Sequence, residues 1–341
     1  MSGMIPLSIL DLAPVSEGSD VAAALNNALS LAQAGERLGF RRFWMAEHHS
    51  MPGIASAATA VALCHVAGGT NRIRIGAGGI MLPNHSPLQV AEQFGTLEAL
   101  FPGRIDLGLG RAPGTDQAAA FAMRRNLTAD VGQFPSDVLE LQAYFAPADT
   151  ARRVRAIPGE DLQVPLWILG SSHFGAELAA ELGLPYAFAS HFAPQQMMSA
   201  IALYRARFKP SAELAAPYVM LGFNVFAAAT DDEGELLATS LMQAFVALRS
   251  GSPGKLKPPV AGYAESLPLE FRAMLRSALS CSAIGSPATV KVATEAFVAR
   301  TGADELMVTS QIFDHQARIR SYELLTEIFE NRAASANDVT T

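Results

Sequence analysis

The sequence predicts an α/β fold: a TIM (β/α)8 barrel in one domain, with insertions after strand 4 and after strand 7. Three observations predict it. Short apolar runs alternate with helical patterns eight times along 341 residues. Parallel strands need helical crossovers between them, and eight such units close into a barrel. Only 17% of residues are charged while 50% are apolar, against about 25% charged in a typical soluble protein. A parallel sheet covered on both faces reads as unbroken apolar strands and accounts for that scarcity. Barrels of this type need about 250 residues, so the chain has room for two inserted segments.

The elements follow in order. Met4–Leu10 reads as the first strand, and Asp20–Leu38 as a helix closed by Gly39, since glycine accepts the left-handed backbone just past a helix end. Arg42–Ala46 is strand two, followed by a helix over Ala55–Ala67 that stops at Gly68-Gly69. Ile73–Ala77 is strand three, and the helix over Pro87–Leu100 is stopped by Pro102-Gly103. Ile105–Leu109 is strand four. Ala112–Asp161 is the first insertion, with a helix over Ser136–Phe145. Pro165–Leu169 and Tyr186–Ser190 are strands five and six, trailed by helices over Phe174–Leu182 and Pro194–Phe208. Tyr218–Ala227 and the helix Asp231–Leu248 form unit seven. The second insertion, Ser250–Pro287, is proline-rich and reads as a mobile lid; Ser286–Thr301 adds a helix. Glu305–Thr309 and the helix Gln316–Asn331 complete unit eight, and 332–341 is expected to be a disordered tail.

Composition excludes several classes. The formal net charge is −7 and no long basic run occurs, so no nucleic-acid partner is expected. The longest uncharged stretch, Leu182–Tyr204, contains Pro185, Pro194, Gly183, His191, Gln195 and Gln196. It is no apolar membrane helix, although its length would span a bilayer. Met1–Leu12 has no basic segment and carries Asp11, so no secretory leader is expected. Cys64 and Cys281 read as two free thiols of a cytoplasmic protein.

Barrel active sites lie at the C-terminal ends of the strands. Glu47-His48-His49 follow strand two, and Gly78-Gly79 followed by Asn84-His85 come after strand three. Arg111 follows strand four; Gly170-Ser171-Ser172-His173 follow strand five; Ser190-His191 follow strand six. Five of the seven histidines fall at these ends. Ser171-Ser172 opening a helix suit an anion, because a helix N-terminus offers unpaired N–H groups and partial positive charge. Arg111 could bind the same anion bidentately. The competing reading makes a serine a simple cap and pairs Arg111 with a carboxylate. Adjacent residues in extended chain point opposite ways, so one of His48 and His49 should face the pocket. Gly108-Leu109-Gly110 lacks the third glycine of a dinucleotide fingerprint, with Pro113 in its place. No HExxH or His-x-His zinc motif is present; Glu47, His48 and His191 could meet at a metal, but nothing requires one. His65, on an apolar helix, reads as a core or interface histidine.

Several segments together resemble one family. They are Ser8–Pro14, Trp44–His49, Ile73–Pro83, Gly103–Arg111, Leu169–Ser172, Gly183–Phe192 and Asp314–Glu323. In this order they are similar to the bacterial luciferase-like flavin-dependent monooxygenases, in particular the single-subunit luciferase-like oxidoreductase branch. The resemblance implies reduced FMN as cofactor, supplied by a separate flavin reductase, with a deazaflavin coenzyme as the alternative. It implies oxidation of a small organic substrate by molecular oxygen, an aldehyde being one candidate. Arg111, Gly170, Ser171, Ser172, His173 and His191 would then bind the flavin, and Gly78-Gly79 would supply a cis peptide beside its ring. His48 falls at the catalytic histidine, oriented by Glu47, while Gly110 replaces a reactive cysteine of the luciferase large subunit. The alternatives are deazaflavin-dependent hydride transfer and flavin binding without catalysis. The resemblance also implies a homodimer, as family members often dimerise, with the helices Ala55–Ala67 and Pro87–Leu100 as the candidate interface.

Overall fold

The computed structural model describes residues 5–112, 119, 122–123 and 131–337. Its strands are β1 (Leu7–Asp11), β2 (Arg42–Met45), β3 (Arg74–Met81), β4 (Ile105–Gly110), β5 (Leu166–Gly170), β6 (Tyr186–Phe188), β7 (Val219–Ala227), β8 (Ser282–Gly285) and β9 (Glu305–Thr309). The helices between them are α1 (Val21–Arg37), α2 (Thr59–Gly68), α3 (Pro87–Leu100), α4 (Phe134–Phe145), α5 (His173–Leu182) and α6 (Met197–Arg207). They continue with α7 (Asp231–Arg249), α8 (Tyr263–Ser266), α9 (Leu269–Ala278), α10 (Pro287–Thr301) and α11 (His315–Asn337).

The strands run β6-β5-β4-β3-β2-β1-β9-β7, and β6 also pairs with β7, so the parallel sheet closes into an eight-stranded barrel. The eight predicted strands are β1 to β7 and β9. β8 was not expected. Asn224 pairs with Thr309 of β9 on one side and with Ser282 of β8 on the other. β8 therefore takes the edge of β7 that β6 uses earlier, at Val219–Leu221. Four residues with a serine and a glycine give too weak an alternation to be read as a strand.

The second insertion carries regular elements and backbone pairing. Its C-terminal end is β8, and α8 and α9 lie within it. Its start is bound to the loop after β1: Leu256 N–H donates to Val15 O at 2.9 Å, and Glu17 N–H to Leu256 O at 2.8 Å. α11 runs to Asn337, six residues into the stretch expected as a tail, and 338–341 lie outside the described residues. Pro113 and Gly114 of the loop after β4, and Met4 of the first predicted strand, also lie outside them.

Side chains alternate across each strand. Ile9, Phe43, Ile75, Ile105, Ile168 and Leu221 point to the helices and belong to the large core between sheet and helix ring. Fully burying one such side chain contributes ~1.5–3 kcal/mol. Leu10, Trp44, Ala46, Trp167, Ala187, Met220 and Met307 fill the barrel interior. The Trp44 and Trp167 rings meet edge to face, 5.2 Å between centroids. Below them the barrel floor is charged. Arg42 bonds Asp106 and Glu305, each at 2.8 Å, and Arg74 reaches Asp106 at 2.7 Å. Ser8 Oγ and the Tyr218 hydroxyl also donate to Glu305. Arg42, Asp106 and Glu305 are buried but paired, which is the condition for tolerating such charges, while Arg74 is half-buried. This network fills the N-terminal end of the barrel, opposite the strand ends that carry the candidate site residues. Asp20, Thr230 and Ser286 accept from N–H groups at the starts of α1, α7 and α10, a contribution of about 1 kcal/mol each.

Candidate active site

Interior positions near the mouth are occupied by glycines. Gly78 on β3 pairs with Gly108 on β4, and Gly222 on β7 faces the same interior as Met220 and Asn224. A glycine in a strand often marks close approach by another group. A methyl on Gly108 would meet Ala77 O and the Leu169 side chain, and one on Gly79 would meet Gly108 O at 2.6 Å. A methyl on Gly222 would collide with His191 Nδ1. The Gly78–Gly79 peptide is cis, as the resemblance implied.

Glu47 is the most connected polar residue at the mouth and is 1% exposed. Its Oε1 lies 2.6 Å from His49 Nε2 and 2.8 Å from His85 Nε2. Its Oε2 accepts from Met81 N–H at 2.9 Å, and its own N–H donates to Gly79 O at 3.4 Å. Burial pushes the Glu47 carboxyl up. The bond and charge of His85, then His49 and the Met81 N–H, outweigh burial and hold it below the usual carboxylate range. Glu47 was expected to orient His48; the carboxylate bonds here go to His49 and His85. The reason is geometric: His48 and His49 alternate in direction, and His49 is the one turned toward β3, where the turn Leu82–Asn84 delivers His85. Three potential metal ligands, Glu47, His49 and His85, come within 4.8 Å of one another, but their nitrogen–oxygen spacings of 2.6 and 2.8 Å are those of hydrogen bonds.

His191 follows β6, where Ser190 Oγ donates to Gly222 O at 2.7 Å. Asn224 Nδ2 donates to His191 O at 2.9 Å. The His191 ring packs on Gly222 with its Nδ1 buried and without a hydrogen-bond partner. Burial, and secondarily the charge of His48, lower its pKa to about 4, so the ring is neutral at physiological pH. His48 and His191 therefore share one electrostatic environment. Thr309, paired in register with Asn224, has a buried Oγ1 that also lacks a hydrogen-bond partner.

Arg111 lies beside the start of α5. β4 and β5 are neighbours, Gly110 pairing with Leu169. The Arg111 guanidinium carbon lies 4.0 Å from the centroid of the Phe174 ring, and Phe174 is the second residue of α5. A cation thus stands at the positive end of that helix. Ser172 occupies the cap position in extended conformation, but its side chain makes no capping bond. The first N–H groups of α5 consequently have no serine oxygen on them. The simple-cap reading is not what the geometry shows. Ser171 is exposed and Ser172 half-buried. Gly170 O accepts from Ala189 N–H at 2.9 Å, tying this loop to the one bearing His191. His173 is drawn aside, its Nε2 2.7 Å from Ser199 Oγ on α6. His65 is exposed on α2, so it is no core residue.

Gly222 and Asn224 escaped notice in the sequence. The available signal was a strand in which one face reads Met220, Gly222, Asn224: a gap beside an amide on an otherwise apolar wall.

The sequence profile described as luciferase-like monooxygenase matches residues 5–305. A luciferase-like monooxygenase of Escherichia coli (strain K12) is 49% identical over 326 residues, covering 96% of this chain and 97% of that one. The N-acetyl-S-alkylcysteine monooxygenase of Bacillus subtilis (strain 168) is 37% identical over 254 residues, covering 73% of this chain and 75% of that one. The crystal structure of apo-MsnO8 superposes with a TM-score of 0.85 at 35% identity, covering 96% of this chain and 99% of that one.

Proposed function

The chain belongs to the luciferase-like monooxygenase family, and from that membership we propose that it is a flavin-dependent monooxygenase. It uses reduced FMN and molecular oxygen to oxidise a small organic substrate, with an aldehyde among the candidates. A separate flavin reductase supplies the reduced FMN, and the working unit is a cytoplasmic homodimer that pairs through α2 and α3. Among the described residues no helix is long and apolar enough to cross a membrane.

The observation that carries the reading is the Arg111 guanidinium lying on Phe174 at the uncapped start of α5. Cation, helix dipole and free N–H groups together form a site for a phosphate. That is the group by which FMN would be held. Gly78 and Gly79 keep the neighbouring wall free of side chains, where a flat ring system fits. The orphaned Nδ1 of His191 fits a polar edge of the same ligand.

When bound, reduced FMN supplies the electrons that activate oxygen; the hard chemistry is the cofactor's. The protein's part is position, dryness and proton handling. Trp44, Trp167, Leu10 and Met307 line an apolar interior that excludes water. His191 stays neutral and adds no charge beside the ring. His48 holds or releases a proton at the mouth, a task suited to an imidazole near neutral pH. Glu47 fixes His49, His85 and the end of β3 around it.

Relatives named monooxygenases at 37% and 49% identity favour oxygen chemistry over deazaflavin-dependent hydride transfer. Oxygen uptake with reduced FMN and a panel of aldehydes tests the reading. Wild-type protein should show substrate-stimulated uptake, and His48→Ala should lose about 100-fold or more of it, the usual scale for a general acid–base group. Uptake no faster than that of free reduced FMN, with turnover on a reduced deazaflavin instead, would overturn the assignment.

A further inference from the structure

His85 stands at the mouth with one ring nitrogen on a buried carboxylate, and nothing so far gives it a task. It arrives at the end of the turn Leu82–Asn84, seven residues after Gly78, with its backbone N–H closed onto Leu82 O at 2.9 Å. Its side chain is 28% exposed. Nε2 is fixed 2.8 Å from Glu47 Oε1. Its Nδ1 has no hydrogen-bond partner among the described residues. We propose that His85, held by Glu47, is a second proton-exchanging side chain of this active site, with Glu47 as its positioning residue. The proposal rests on the flavin-site reading given above.

The physical argument begins at the carboxylate. Glu47 Oε1 is an acceptor, so the Nε2 that faces it carries the proton. That fixes the neutral ring as the Nε2–H tautomer and leaves a lone pair at Nδ1. A buried carboxylate on one nitrogen orients the ring and compensates the charge that appears when the other nitrogen takes a proton. Glu47 is suited to this because it is sealed from water, fully bonded and held in its ionised form. The groups facing it are His49, His85 and the Met81 N–H, with His48 beside it in the chain and His191 facing His48. Glu47 bonds no other charged group among the described residues. In the exchange itself a bound group gives its proton to His85 Nδ1 while the bonding electrons stay on that group. The imidazolium then returns the proton to solvent along its exposed edge, so no co-reactant is needed.

The location supports a part in the reaction. Glu47 holds Met81 N–H through its carboxylate and Gly79 O through its own N–H, so the pair is bolted to the end of β3. Any movement of that ribbon moves His85 with it. His49 shares the same Oε1 at 2.6 Å, which further stiffens the carboxylate.

Two measurements decide the matter. Long-range proton–nitrogen correlation spectra of protein labelled with 15N-histidine, without flavin, read the tautomer of His85 directly. Loss of its signals in His85→Gln assigns them. At alkaline pH the wild-type ring should be the Nε2–H tautomer; the Nδ1–H tautomer would overturn the proposal. In the second, reduced FMN affinity and oxygen uptake are compared for wild type, His85→Gln and His85→Ala. Both variants should bind reduced FMN within about 3-fold of wild type but turn over about 10-fold slower or worse. Added imidazole should restore uptake in His85→Ala, where there is space for it, and not in His85→Gln. Wild-type rates in the variants, or a loss that imidazole cannot restore, would overturn it. If wild-type protein bound no reduced FMN, the flavin reading would fail while the tautomer result still stood.

Discussion

Gly222 shapes the site by lacking a side chain. It faces the barrel interior on β7, and the His191 ring occupies the place its methyl would take. Gly222→Ala should push that ring out of its slot and, with it, the loop whose Ser190 hydroxyl bonds Gly222 O. Reduced FMN should bind about 10-fold more weakly, a cost of about 1.4 kcal/mol, while the protein stays folded. Anaerobic fluorescence titration of the variant measures this, and unchanged affinity would show that His191 does not touch the ligand. At this scale the sequence was legible in kind and less so in pairing. The strand-end positions of Glu47, His48, Arg111, Ser171, Ser172 and His191 could be read from the walk along the chain. That Glu47 would choose His49 and His85 could not. The choice depends on β2 and β3 lying side by side and on a short turn reversing the chain at Leu82–Asn84. One-dimensional spacing does not carry such a relation.

The elements were legible where their periodicity was strong. Asp20 and Gly39 bracket α1 as cap and stop, and Gly183 ends α5 in the left-handed conformation that a glycine permits. α2 begins at Thr59 rather than Ala55, since the residues before it are bonded elsewhere: Ala55 N–H donates to Ala13 O at 3.1 Å and Ser56 Oγ to Ala46 O at 2.5 Å. β8 was hidden for a different reason: it extends β7 beyond β6 rather than adding a barrel unit, so no strand–helix rhythm announces it. α2 and α3 carry the expectation of dimerisation. Val61 is 73% exposed and Leu100 58% exposed, and α2 also exposes His65 on its outer face. Large apolar side chains left on a helix surface are candidates for burial against a second copy. Light scattering should give a dimer mass for the wild type and a monomer mass for the double variant Val61→Lys with Leu100→Lys. A monomeric wild type would remove this interface.

For the whole molecule, the scarcity of charge now has a distribution. Much of the buried charge is gathered in one network at the barrel floor, where Arg42, Arg74, Asp106 and Glu305 neutralise one another. The middle of the barrel is apolar and aromatic. The mouth holds separated polar groups: Glu47 with its two histidines, His191 with an orphaned nitrogen, and Arg111 at the start of α5. Charged and paired at one end, apolar in the middle and polar at the other rim, the barrel concentrates its separated polar groups at that rim. The central claim is that this rim binds a reduced flavin by its phosphate. Anaerobic titration with reduced FMN, compared between wild type and Arg111→Gln, tests it most directly. The account predicts saturable binding by the wild type, about 10-fold or more weaker in the variant, while affinity for reduced riboflavin, which has no phosphate, is the same for both proteins. Equal affinity of both proteins for reduced FMN, or no saturable binding by the wild type, would contradict it.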